Sequence, residues 1–356
     1  MGTVSQNRNS RIDFSLADND WTIDADVSLF VKADVAVFST LAGSRFTNSG
    51  VVFSAVDFGS GNGAVTLMGN NAFITNNVGG SITGYDGGIT VNGQGSSIAN
   101  QGAVTGANEF GILFGSGSRS VVLDNSGNIY GGNQGVWVLN GVDGGTINNS
   151  GVIRSGKTGI SLSLDSGVTT TINNGVNGII RGKTKAIEVS FGAIEFKNNG
   201  TVLGLTHCNF DSGDDRIENR GVMGEVRLGA GDDVFVFAGG KQGPVSGSSG
   251  ADQFVFSTKL AKKKDAATIA DFTPGEDSIG LSKALFKGIG KAGPLNEKFF
   301  AVGTKATDKK DRIIYDPDTG LCRYDKDGKG GGKAKVFAVL GDAPDIVGAS
   351  DFLVLG

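Results

Sequence analysis

Apolar and polar residues alternate in short bursts along most of the chain, and no stretch carries the 3.6-residue apolar stripe of an amphipathic helix. The segment Trp21-Thr-Ile-Asp-Ala-Asp-Val-Ser-Leu-Phe-Val-Lys-Ala-Asp-Val-Ala-Val-Phe38 alternates nearly throughout. Further on, Ile147-Asn-Asn-Ser-Gly-Val-Ile-Arg-Ser-Gly156 is followed by Gly159-Ile-Ser-Leu162 and then by Thr169-Thr-Thr-Ile172. Each burst is long enough for one short strand and ends at glycine, so the pattern predicts three strands per repeating unit with glycine at the corners.

The repeat itself is marked by asparagine. Asn48, Asn76, Asn100, Asn125, Asn149, Asn174, Asn198 and Asn219 each precede a glycine and an Ile/Val-containing strand, at steps of 28, 24, 25, 24, 25, 24 and 21 residues. A three-strand unit of that size cannot bury its own apolar face, but coils stacked on one another can. The expected fold is therefore all-β: a right-handed parallel β-helix, the hand following the crossover preference. One asparagine per coil, at a corner with left-handed backbone, would form a ladder of stacked amides. The Trp21 to Phe38 segment is expected to supply the first coils and a cap for the open strand edge. The Asn-x-Gly-x-Ile-x-Gly pattern resembles the passenger repeats of autotransporter-like β-helical surface proteins over about residues 40–222. Adhesins, lyases and epimerases all use such rods, so the resemblance implies a fold and not an activity.

From residue 210 the period shortens. Asp211-Ser-Gly213-Asp-Asp215-Arg-Ile217, Gly229-Ala-Gly231-Asp-Asp233-Val-Phe235 and Gly247-Ser-Ser-Gly250-Ala-Asp252-Gln-Phe254 fit Gly-Gly-x-Gly-x-Asp-x-apolar-x, with their fourth-position glycines 18 and 19 residues apart. Two such nonapeptides make one turn of a calcium β-roll, which stacks the three loops on one edge. Calcium takes six to eight hard oxygens. Turns at Gly213, Gly229, Gly231, Gly247 and Gly250 offer carbonyls, and Asp215, Asp233 and Asp252 offer carboxylates shared between neighbouring loops. Three loops would enclose two ions, with Asp214 and Asp232 adding charge and candidate carbonyls. The opposite edge, Gly221 to Gly224 and Gly239 to Gly243, lacks aspartate, so calcium is expected on one side only. The alternative, that Gly-Asp-Asp turns are merely polar corners, accounts less well for three copies at one period.

The stretch Ile269-Ala-Asp-Phe-Thr-Pro-Gly-Glu-Asp-Ser-Ile-Gly-Leu-Ser282 resembles the segment that closes β-rolls in repeats-in-toxin (RTX) proteins. Asp311 to Gly328, Val336-Phe-Ala-Val-Leu340 and Ala349-Ser-Asp-Phe-Leu-Val-Leu-Gly356 resemble the C-terminal domain of RTX proteins exported by type I secretion. The resemblance implies an export signal in the C-terminal region, ending Asp351-Phe352-Leu353-Val354, a partner in the type I machinery, a secreted or cell-surface location, and calcium as the cofactor that fills its sites only outside the cell. Gly280 stands where that family often has aspartate. The Asp325-Lys-Asp327-Gly328 turn resembles half of an EF-hand loop without its later glutamate, and a solvated turn is its default role. The organisation expected is residues 1–209 as β-helix with N-terminal cap, 210–256 as calcium β-roll, and 257–356 as cap and secretion-signal region.

Composition sharpens these expectations. Sixty glycines in 356 residues, against about 25 in an ordinary chain of this length, fit a fold of many tight turns. All five prolines lie at or after Pro244, which leaves a proline-free stretch of 243 residues suited to strands paired on both sides. The net charge of −4 divides into 15 basic and 22 acidic residues up to 256, and 17 and 14 beyond. Generic nucleic-acid binding is not expected from such a balance. No run approaches the apolar length of a membrane helix. Two cysteines, Cys208 and Cys322, make no disulfide framework.

Catalytic chemistry is thinly supplied. His207 is the one histidine, and it points away from its neighbour Cys208 on a strand, which disfavours a nucleophile-base pair. Cys322 reads as a buried thiol. The outer-face position after the repeat asparagine reads Thr105, Tyr130, Arg154, Arg181 and Leu203, with Lys157, Lys183 and Lys185 nearby. A basic patch there suits an acidic polysaccharide; the plainer reading is a solvated face balanced by Asp165 and Glu188. The function expected is a secreted calcium-binding protein, an adhesin-like or structural surface component, with a polysaccharide lyase or epimerase as the alternative.

Overall fold

The structure, a computed structural model, describes residues 1–57, 61–139, 144–209, 213–258 and 266–356. Its strands are stacked parallel coils of a β-solenoid, and its contacts fall into two units, Met1–Thr206 and His207–Gly356.

In the first unit the predicted three strands per coil form three walls. One wall runs Gly2–Val4, Asp20–Ile23, Arg45–Asn48, Phe73–Asn76 and onward to Thr169–Asn174 and Ala193–Asn198, every neighbour parallel and in register. A second wall stacks Ser28–Val31, Val51–Ser54, Ser81–Gly84, Ala103–Gly106, Asn128–Gly131 and Val152–Ser155. The third stacks Val37–Ser39, Gly63–Leu67, Gly87–Val91, Phe110–Phe114, Gln134–Val138 and Thr158–Ser163. Strand Ile179–Ser190 pairs with both of these walls. Alternation decides what is inside: Ile74, Ile98, Leu123, Ile147 and Ile172 lie one above another and are each at most 2% exposed. Each such side chain contributes about 1.5–3 kcal/mol on burial.

The amide ladder is present. Asn48, Asn76, Asn100, Asn125, Asn149 and Asn174 each donate from Nδ2 to Oδ1 of the asparagine one coil on, ending at Asn198, at 2.7–2.8 Å. All seven are buried. The backbone expectation needs correcting, however: none of them has positive φ. They are the last residues of extended strands, selected for an amide that bonds along the stack and not for tolerance of a left-handed turn. The glycine two residues later has a different cause. A Cβ on Gly127 or Gly151 would collide with the carbonyl of the glycine one coil before, so this corner is packed too closely for any side chain. Asn219, in the second unit, donates to Lys241 O and Gln242 Oε1.

The second unit also stacks strands in parallel. Arg216–Asn219, Val234–Phe237, Gln253–Phe256, Ser278–Ser282 and the C-terminal Phe352–Leu355 form one column, and Val226–Ala230, Val245–Ser249, Ala267–Ile269 and Lys335–Leu340 form another. Within Asp311 to Gly328 the chain forms a hairpin, Ile313–Asp316 antiparallel to Leu321–Tyr324. Its turn is held by Thr319 Oγ1 on Asp316 Oδ2 (2.7 Å) and by the Arg323 ion pair to Asp316 (3.1 Å). Aromatic rings tie column to cap: Phe237 stacks on Phe256 at 4.6 Å, and Phe256 and Phe286 both meet Phe337 edge-on at 5.0 and 5.1 Å.

Candidate functional site

The Gly-x-Asp loops of the second unit lie directly before the strands of its first column, so strand register sets aspartate register. Arg216 pairs with Val234, Val234 with Gln253, and Gln253 with Ser278. The residue before each is Asp215, Asp233, Asp252 and Asp277, and the four carboxylates form a ladder. Asp233 Oδ1 accepts from the backbone N–H of Asp215 at 2.7 Å, Asp252 Oδ1 from that of Asp233 at 3.0 Å, and Asp277 Oδ1 from that of Asp252 at 3.0 Å. All four are buried. Buried Asp233 Oδ2 has no hydrogen-bond partner among the described residues, the arrangement most costly for a carboxylate and one that a cation relieves.

The sequence-predicted residues thus come together, with two additions. Asp277 is a fourth rung, and its Gly275-Glu-Asp277 has the same Gly-x-Asp spacing. The 25-residue step from Asp252, against 18 and 19 before it, breaks the period that marks the other three. Asp271 is the second addition: its carboxylate accepts from Ser246 Oγ and from the N–H groups of Gly247 and Ser248. Asp214 and Asp232 form an exposed outer column, accepting from Asp232 N at 2.9 Å and Ala251 N at 2.8 Å. Gly231 and Gly250 have φ of +139° and +123°, and a Cβ on either would strike the previous loop's Gly213 or Gly231 carbonyl, so glycine is required both for conformation and for contact. Gly229, with φ of +106°, pairs with Ser248, and Gly247 lies within the neighbouring strand Val245–Ser249. Asp211 and Ser212 lie outside the described residues. No three acidic, histidine or cysteine side chains among the described residues gather about one point. An ion in these loops would therefore take much of its shell from turn carbonyls, an all-oxygen donor set suited to a hard cation.

The loop electrostatics are those of crowded carboxylates. Burial, then the neighbouring Asp215, Asp252 and Asp214, push Asp233 up to about 8. Burial, then Asp277, Asp271 and Asp232, push Asp252 up to about 7, and burial raises Asp277. A carboxyl whose folded-state value exceeds its unfolded value holds its proton more tightly when folded, so its contribution is complete at low pH and is lost as pH rises through the folded value. Metal-free protein is therefore expected to lose stability between about pH 4 and pH 8, the window set by the ordinary 3.8 and the raised 8 of Asp233. Chelator-treated protein melted at stepped pH checks this; a melting temperature that rises through that window would show the ladder is not strained.

On the second wall of the first unit, Thr105, Tyr130, Arg154 and Arg181 are register neighbours. The Arg154 guanidinium lies over the Tyr130 ring at 5.4 Å. Arg154, Arg181, Lys157 and Lys183 are exposed. Glu188, expected to balance this patch, pairs with one of its lysines, Lys185, at 2.6 Å. His207 and Cys208 sit on the strand Thr201–Asn209. Cys208 and Cys322 are buried free thiols, both pushed up by burial, Cys208 also by Asp215 and Asp233. In the Asp325 turn, Asp325 Oδ1 accepts from the N–H groups of Asp327 and Gly328, which explains this turn without a ligand. No family model matches the chain, and no curated protein matches its sequence.

Proposed function

We propose that this chain is an extracellular calcium-binding protein of RTX type, whose second unit folds when calcium bridges its stacked Gly-x-Asp loops. Its first unit would then be a rigid solenoid presented at the cell surface or in the matrix, adhesin-like and not catalytic. One observation carries the reading: four aspartates held in register by their strands, with a buried oxygen of Asp233 that no described residue bonds. A ladder that is strained when empty and satisfied by a divalent cation makes metal binding a source of folding free energy. Sites of this kind in extracellular modules have dissociation constants of about 0.1–1 mM, so they stay empty in a cytosol and fill outside.

The C-terminal strand supports the same order of events. Phe352 and Val354 are buried, Phe352–Leu355 pairs with Ser278–Ser282, and Asp351 accepts from Gly275 N at 3.0 Å, two residues before Asp277. An export signal in these residues would be readable before the second unit folds and sequestered afterwards, which accords with folding delayed until calcium is met. The test is a melt of the full chain in millimolar calcium, in magnesium and in chelator. A shift that grows with calcium concentration and is absent with magnesium is expected, because only preferential binding to the folded state stabilises it. A melting temperature indifferent to calcium would refute the proposal.

A further inference from the structure

The second wall of the first unit carries one outward row, register neighbour to register neighbour, that runs from Phe30 and Phe53 through Thr83 and Thr105 to Tyr130, Arg154 and Arg181. Six steps at the spacing of paired strands make it about 29 Å long. Its composition is graded. At one end the rings of Phe30 and Phe53 stack at 4.6 Å, with Phe30 41% exposed. In the middle the side chains shrink to threonine, flanked in the adjacent outward row by Ser81 and Ala103, so the surface drops between the aromatic positions. A groove of about 440 Å³ follows, lined by Ala103, Thr105, Asn128, Tyr130, Val152 and Arg154.

The far end is cationic. Arg154 and Arg181 are direct register neighbours, a pairing of like charges that costs stability on a sheet. Lys157 and Lys183 are exposed in the same two coils, and none of the four has an ion-pair partner among the described residues. Four unneutralised cations beside an aromatic ring, at the end of a hydroxyl-floored trough, call for a partner that is acidic, hydroxylated and extended.

We propose that this row binds an acidic polysaccharide lying along the stacking direction. Sugar rings would pack against Tyr130 and against the Phe30 and Phe53 stack, hydroxyls would meet Thr83 and Thr105, and carboxylates would meet Arg154 and Arg181, with Lys157 and Lys183 at the margin. A repeating polymer suits a surface that itself repeats once per coil. A nucleic acid would meet the same cations but would have no need of the threonine floor. The proposal gives the extracellular reading above a ligand class and rests on it only for the setting; the residues involved are all outside the calcium loops.

The experiment is a calorimetric titration of calcium-loaded full-length protein with soluble oligogalacturonate, alongside uncharged dextran and single-stranded DNA. Saturable binding of oligogalacturonate alone is expected, weakened about tenfold or more by Arg154→Ala with Arg181→Ala, and weakened by Tyr130→Ala at unchanged net charge. The calcium-dependent melting shift should be the same in all variants, which verifies their folding and keeps failure of this proposal separate from failure of the calcium reading. Absence of binding, binding unchanged in the double variant, or DNA bound as tightly as the uronate would each overturn it.

Discussion

In Asp233→Asn, the melting temperature in chelator should rise above that of the unsubstituted protein while the increment added by calcium collapses. The two effects have opposite sign because they arise from different states of one carboxylate. Without metal, Asp233 is a buried group beside Asp215, Asp252 and Asp214, raised to about 8, so at neutral pH it either holds a proton or adds repulsion. Asparagine keeps the oxygen that accepts from Asp215 N and removes the charge. In the calcium-bound state proposed above, the same substitution would delete an anionic ligand at an inner rung, between Asp215 and Asp252. Calcium at a hundred times its dissociation constant contributes about 2.7 kcal/mol per site, and the variant should forfeit most of this. Asp252→Asn, the other inner rung, should behave alike; Asp215→Asn, at the end of the ladder, should lose less. Calorimetric melts with calcium and with chelator decide it. A lower chelator melt with an intact calcium increment would mean that Asp233 is a structural hydrogen-bonding residue and no more.

The solenoid was legible because its signal is redundant: each coil repeats the alternation, the asparagine and the glycine, and one irregular step such as Asn48 to Asn76 leaves the others to fix the period. Where one event interrupts a repeat, legibility fails. The insertion between Phe256 and Ala267 lengthens one loop spacing and so concealed Asp277, although strand register places it under Asp252. The outer row failed for a related reason. Phe53, Thr105, Tyr130 and Arg154 lie five residues after their asparagines but Thr83 and Arg181 lie seven, so no single offset carries the row through Thr83 to Phe53. Without that link the aromatic end of the row reads only as alternating strand. The asparagine corner was right in its hydrogen bonds and wrong in its backbone, since a stacked amide and a left-handed turn select the same residue type.

Asn125→Ala is expected to be among the most destabilising single changes in the first unit, at about 2–4 kcal/mol. Asn125 sits mid-ladder, accepting from Asn100 Nδ2 at 2.7 Å and donating to Asn149 Oδ1 at 2.8 Å. Alanine deprives a buried donor below and a buried acceptor above of their partner at once, and each orphaned group costs about 1–3 kcal/mol. Asn100 Nδ2 retains its longer bonds to Gly102 O and Asn128 O, at 3.3 and 3.4 Å, which keeps the total below the sum of the extremes. Asn48 provides the internal control: it begins the ladder, and its own Oδ1 already lacks a partner among the described residues. Asn48→Ala therefore orphans only Asn76 Oδ1 and should cost about half as much. Asn125→Asp should cost more than alanine, because it sets a buried negative oxygen against Asn149 Oδ1 with no cation at hand. Urea unfolding of the three variants in saturating calcium, with the second unit held fixed, ranks them. Equal losses at Asn48 and Asn125 would mean that the amides stabilise their own coils and not the stack.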